Sequence, residues 1–136
     1  MNKGVIAANL GTLAIMGAVG GSGTFSIGTS GYLSFTASET FTSAGTIAFT
    51  TGGGEMALYN TTNVLDVLSN FSTGDTIALP GFNASTLSDA FGSTHDIVKF
   101  SDSQGDSVTL TFSTAQTLSQ FYFGTDANGA AAIFHH

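Results

Sequence analysis

Large apolar residues recur along this chain two positions apart, with a small residue between them and a turn residue just before. The phrase reads Gly-Thr-Leu-Ala-Ile at Gly11 to Ile15, Gly-Thr-Phe-Ser-Ile at Gly23 to Ile27 and Gly-Tyr-Leu-Ser-Phe at Gly31 to Phe35. It returns as Gly-Thr-Ile-Ala-Phe at Gly45 to Phe49 and Gly-Glu-Met-Ala-Leu at Gly54 to Leu58, with looser copies at Asp75 to Leu79 and Asp106 to Leu110. Successive side chains on a strand point to opposite faces, so each phrase predicts a short β-strand with one buried face.

The spacing of the phrases predicts how the strands are arranged. Leu13, Leu33, Met56, Ile77 and Ile97 are 20, 23, 21 and 20 residues apart. Phe25, Ile47, Val67, Leu87 and Val108 form an interleaved series with steps of 22, 20, 20 and 21. Val67, Leu87 and Ile97 stand outside any clean copy of the phrase. Two interleaved series imply at least two strands per repeat. The expected fold is all-β, a parallel β-solenoid resembling a β-helix, with about six coils of roughly 20–23 residues. An up-and-down barrel or sandwich also uses evenly spaced short strands and is the structural alternative, although it does not require steps near 21. The expected domain is a single one over residues 1–134. His135-His136 look like the start of a purification tag.

Composition narrows the class. Threonine, serine, phenylalanine and 18 glycines against a single proline is strand-and-turn chemistry. Twelve phenylalanines with no tryptophan suggest a core of rings stacked along the solenoid axis. The net charge is −7, with nine carboxylates against only Lys3 and Lys99, so phosphate backbones and anionic bilayers have little to bind. No run is long and apolar enough to span a bilayer as a helix, and membrane insertion is not expected. The absence of cysteine excludes disulfides and thiolate metal sites. Low charge, an acidic balance and abundant Ser and Thr lean towards an extracellular or cell-surface location. Gly4 to Gly21 is small and apolar enough to be compared with a signal peptide, but Gly11 to Ile15 already fits the repeat and the stretch is read as its first strands. The chain reads as a module cut from a longer protein.

The second half carries a further pattern. Leu68 to Gly81 reads Leu-Ser-Asn-Phe-Ser-Thr-Gly-Asp-Thr-Ile-Ala-Leu-Pro-Gly, followed by the strands Asp96 to Phe100 and Ser107 to Phe112 and by the turn Asp126-Ala-Asn-Gly129. This resembles the β-solenoid repeat modules of bacterial secreted and surface proteins, Hint-associated or type I-secreted and adhesin-like, with Leu68 where those modules usually have Ile. The resemblance implies a β-solenoid in an extracellular, noncatalytic region. Within it Phe71, Ile77 and Leu79 are expected to be buried. Gly74-Asp75 should make a tight turn that Asp75 caps through its carboxylate.

Four residues are candidate calcium ligands: Asp102 and Asp106 in one glycine-bearing loop, Asp126 and Asn128 in another. Oxygen ligands on such loops suit a hard cation, yet neither loop matches an EF-hand or a calcium-stacking glycine-rich repeat, and both read equally well as solvated turns. No other cofactor is expected. Enzymatic candidates are the pairs Asp75/Asp96 and Asp102/Asp106 and the neighbours His95-Asp96. They lie in turn contexts where Asp is common, no Gly-x-Ser-x-Gly elbow is present, and the cationic groups a polysaccharide lyase needs are missing. The chain is therefore expected not to be an enzyme.

The outward positions of the phrases are more informative. Thr12, Thr24, Tyr32, Thr46 and Thr76, with small residues beside them, make a flat and nearly uncharged interaction face. Such a face suits packing against a neighbouring domain or another copy, binding of a glycan or of ice, or plain solvation; Tyr32 and Glu55 interrupt the threonine rows and count against ice. No charged or helical cap is visible at either end, so end-to-end self-association into oligomers or fibres is expected. The functional reading is a noncatalytic structural or adhesive module, with a glycan- or ice-binding module as the alternative.

Overall fold

The computed structural model describes residues 1–36, 45–50, 52–59 and 63–136. The first eight strands are β1 (Val5–Ala8), β2 (Gly11–Ile15), β3 (Thr24–Ile27), β4 (Gly31–Phe35), β5 (Thr46–Phe49), β6 (Glu55–Leu58), β7 (Asn63–Ser69) and β8 (Thr76–Leu79). They are dealt alternately to two sheets, odd strands to one and even strands to the other. Every pairing among the eight is parallel. Parallel neighbours need a long crossover, and here the strand in the opposite sheet supplies it. Paired residues thus lie 19 to 23 positions apart: Val5 with Thr24, Thr24 with Thr46 and Thr46 with Val67 in one sheet, and Gly11 with Gly31, Tyr32 with Glu55 and Glu55 with Thr76 in the other.

The core lies between the sheets. Phe25, Ile27, Ile47, Phe49 and Leu68 project from the odd sheet and Leu33, Phe35, Met56, Leu58, Ile77 and Leu79 from the even one, all buried. Phe71 is buried with them, as its place in the Leu68 to Gly81 phrase predicts. The rings do not form the expected single stack. Phe25 meets Phe35 edge-on at 5.4 Å, Phe49 tilts 59° to Phe71, and Phe71 runs nearly parallel to Phe121, at 6.3 Å. Rings crossing from opposite sheets fill the gap better edge-on, which also suits their quadrupoles.

Small residues recur because the turns of successive repeats touch. A Cβ on Gly31 would sit 1.8 Å from the carbonyl oxygen of Ala8, one repeat below. Asp75 binds adjacent turns together: its buried carboxylate accepts from the N–H groups of Gly53 and Gly54, both at 3.1 Å, and from the N–H and hydroxyl of Ser72. The expected tight turn is present beside it, with Gly74 at φ 96°. Asp66, buried in β7, likewise accepts from the N–H of Gly45 at 2.8 Å. Burial holds its carboxyl above the ordinary range while that hydrogen bond pulls the other way.

The repeat does not run to six coils. After Leu79 come β9 (Ser88–Phe91), β10 (Ile97–Ser101), β11 (Ser107–Phe112), β12 (Phe121–Thr125) and β13 (Ala131–His135). β9, β10 and β11 form an antiparallel meander whose last strand pairs parallel with β7. β12 and β13 form a hairpin laid antiparallel on β8. The loops Asp102 to Asp106 and Asp126 to Ala130 are too short for a parallel crossover, so the strands they join must run antiparallel. Ile97 therefore sits in the odd sheet, not above Ile77. Leu87 follows a 3₁₀ turn rather than lying in a strand, and Ile47 is paired with Leu68, one residue past Val67. The result is all-β, with two mixed and mostly parallel sheets. Among the described residues no helix is long and apolar enough to cross a membrane.

Candidate interaction surface

The outward residues fall on two faces instead of one. On the odd sheet Val5, Thr24, Thr46, Val67, Thr111 and Ile97 form one row. On the even sheet the row is Thr12, Tyr32, Glu55, Thr76, Phe134 and Tyr122. Thr24 and Thr46 thus belong to one surface, and Thr12, Tyr32 and Thr76 to the other. A regular threonine lattice does not form on either, because Val5 and Val67 flank Thr24 and Thr46, and aromatic and acidic side chains occupy the other row.

The even face is not flat and open. Ser34, Ala57, Ala78 and Ala132 point away from the core yet are buried. Their small side chains leave a trough into which longer neighbours lie down. Tyr32 hydrogen-bonds Tyr59, and Glu55 reaches Asp126 of the β12–β13 turn. Burial above all, helped by Tyr59, holds the Tyr32 hydroxyl well above the ordinary phenol range. Burial, followed by the hydrogen bond to Asp126 and that residue's charge, pushes the Glu55 carboxyl up to about 7. In the sequence Glu55 stands out only as an interruption in a threonine row. The signal that could have found this pair is an acid standing where four other copies of the phrase carry Thr.

Each candidate calcium ligand sits in a hairpin turn. Asp102 and Asp106 belong to the β10–β11 turn. The Asp102 carboxylate accepts from the N–H groups of Asn83 at 2.7 Å and of Gln104 and Asp106 at 3.0 Å. Those bonds, that from Asn83 first, hold it below the usual carboxylate range. Asp126 and Asn128 belong to the β12–β13 turn, where Asp126 Oδ1 accepts from the N–H groups of Asn128 and Ala130, both at 2.9 Å. Among the described residues, no three His, Cys, Asp or Glu gather as a metal site would need. Of the enzymatic candidates, Asp75 is committed to its turn, Asp96 accepts from the Thr94 hydroxyl, and the His95 ring stacks on Phe91 at 4.3 Å. A hollow of about 390 Å³ beside His95 and Phe91 is lined by Gln116, Thr117, Leu118 and Ser119, with no carboxylate in its wall.

The two ends of the stack differ most. β1 and β2 are the outermost strands of their sheets, with no further strand beyond them among the described residues. Ile6, Leu13 and Ile15 are paired with Phe25, Leu33 and Phe35, so each pair shares a row facing the core. Phe25, Leu33 and Phe35 are at most 4% exposed, whereas their end-strand partners are only half-buried. A cavity of about 250 Å³ opens there between Ile6, Ile15, Val19 and Phe25. Val5 in β1, Leu10 between β1 and β2, and Met16 just after β2 are 70%, 83% and 80% exposed. Residues 1–36 contain one charged side chain, Lys3, and no carboxylate. At the opposite end β9–β11 and the β12–β13 hairpin close the core over Phe100, Phe112, Phe121 and Ile133, all buried. That closure by antiparallel strands takes the place of the charged or helical cap whose absence the sequence suggested.

No protein-family model matches the chain, and a search of curated proteins finds no relative.

Proposed function

We propose that this chain is a noncatalytic β-solenoid module, extracellular or cell-surface, that serves as a structural or adhesive unit and associates with a second copy through the edges of β1 and β2. The solenoid reading is supported by the alternation of eight parallel strands between two sheets at steps of 19 to 23 residues. The observation that carries the association reading is the core row that ends half-covered at Ile6, Leu13 and Ile15. Unpaired strand edges over an incompletely buried core invite another strand layer. The near absence of charge in residues 1–36 favours the contact, since two such ends meet without the repulsion expected of the acidic remainder. Joining through this end alone gives a closed head-to-head pair; a fibre requires the β9 and β12 edges to accept strands as well. The noncatalytic reading is supported by the assignment of Asp75, Asp102 and Asp126 to turn hydrogen bonds.

Light scattering over a concentration series, with negative-stain electron microscopy of the same samples with and without calcium, tests this. Discrete pairs or filaments that grow with concentration are expected. A compact monomer throughout sinks the association.

One observation favours a second reading. The even-sheet row ends in Phe134 and Tyr122, stacked at 5.1 Å, and Tyr122 is 43% exposed. A ring presented beside hydroxyl groups suits a sugar face. Glycan binding that Tyr122→Ala abolishes, in a protein that stays monomeric, would favour it over assembly.

A further inference from the structure

Glu55 and Asp126 are a carboxyl pair with an unusual setting. Glu55 starts β6, in the parallel stack, whereas Asp126 starts the turn of the hairpin that closes it. The Glu55 carboxyl reaches that of Asp126. Glu55 Oε1 and Asp126 Oδ2 are buried and have no donor among the described residues. Asp126 Oδ1 is already occupied by two backbone N–H groups. Two carboxylates cannot share such a place without a proton or a cation between them.

The surroundings supply no cation. Tyr32 of β4, hydrogen-bonded to Tyr59, lies near both carboxyls and carries no positive charge. β8 presents Thr76 and Ala78 on this face, and β13 presents Ala132 and Phe134. The chain's two basic side chains are elsewhere: Lys3 precedes β1, and Lys99 is exposed on β10 of the other sheet.

We propose that Glu55 and Asp126 form a proton-bridged latch that fastens the turn of the β12–β13 hairpin to β6 while the pair holds one proton, and that loosens the turn when the proton leaves. In the latched form the Glu55 carboxyl donates to Asp126 Oδ2, and both buried oxygens have a use. On deprotonation two negative charges face each other in a half-buried trough, and the turn is the part able to move. The raised proton affinity of Glu55 fits this arrangement. Its folded value, about 7, lies above the ordinary 4.5, so the latch is complete below about pH 4.5 and is lost as pH rises through about 7.

The direct test is a carbon-13 NMR titration of the Glu55 carboxyl in the intact protein. A midpoint near 7 is expected, and one near 4.5 overturns the latch. A second test reads the hairpin. Hydrogen-exchange protection of the Ala130, Ala131 and Ala132 amides should fall about tenfold between pH 5.5 and 8, after correction for intrinsic exchange. In Glu55→Gln, whose amide donates to Asp126 permanently, protection should stay level. An equal fall in both proteins overturns the proposal. If Glu55→Gln does not fold, the titration still decides.

Discussion

The open and closed ends of this molecule use the same kind of strand and reach opposite outcomes. At the open end β2 repeats the Gly-x-apolar-small-apolar phrase faithfully, and its Leu13 and Ile15 are only half-covered. At the closed end β13 reads Ala-Ala-Ile-Phe-His, a poor copy, and its Ile133 is fully buried. Fidelity to the phrase does not determine burial. What determines it is whether a further strand lies beyond, and the hairpin supplies one only at the closed end. The repeat thus sets strand direction and spacing, while short loops end it by forcing the chain to turn back.

Phe35 and Ile15 occupy paired positions one repeat apart. Truncating the buried ring in Phe35→Ala should cost about 3–5 kcal/mol, and Ile15→Ala, at the open end, about 1–2. Chemical denaturation of both variants checks this, and equal losses would break the contrast between interior and end. Next in size is Asp75→Ala, which strands the N–H groups of Gly53 and Gly54 between two turns. A loss of about 2–3 kcal/mol is expected in the same assay.

A smaller effect concerns the closed end. Stability should decline by about 1–2 kcal/mol as pH rises from 5 to 8, after solvent screening of the half-buried Glu55 is allowed for. The sign follows from a folded proton affinity above the unfolded one, so the folded state holds the extra proton in this window. Glu55→Gln should remove most of the slope in a series of thermal melts. The smallest effect on stability is expected of Val5→Lys. Val5 is 70% exposed on β1, and the substitution should change the monomer by no more than about 0.5 kcal/mol.

Much of the first half was legible in the sequence, because a buried face at period two and a repeat near 21 residues are both local signals. Leu33, Met56 and Ile77 are in register as their spacing implied. The buried Phe71 and the turn role of Asp75 were legible too, from the Gly-Asp pair beside an apolar run. The end of the repeat was not. Ile97 continues the spacing numerically, but strand direction depends on loop length, and the five-residue loops of the second half cannot make a crossover. The division of the threonines between two faces was hidden for a related reason: alternate phrases go to opposite sheets, so neighbouring copies point in opposite directions. The Glu55–Asp126 contact spans most of the second half of the chain and depends on a hairpin folding back over a row of alanines, which no local pattern encodes.

The measurement that bears most directly on the open end is sedimentation velocity over a concentration series at physiological salt. It would compare the unaltered chain with a Val5→Lys/Thr12→Lys variant, which places charge on both open edges and leaves the core alone. The unaltered chain should associate as concentration rises, and the variant should stay monomeric with unchanged stability. A monomer for both, or association that the two lysines leave intact, would contradict it.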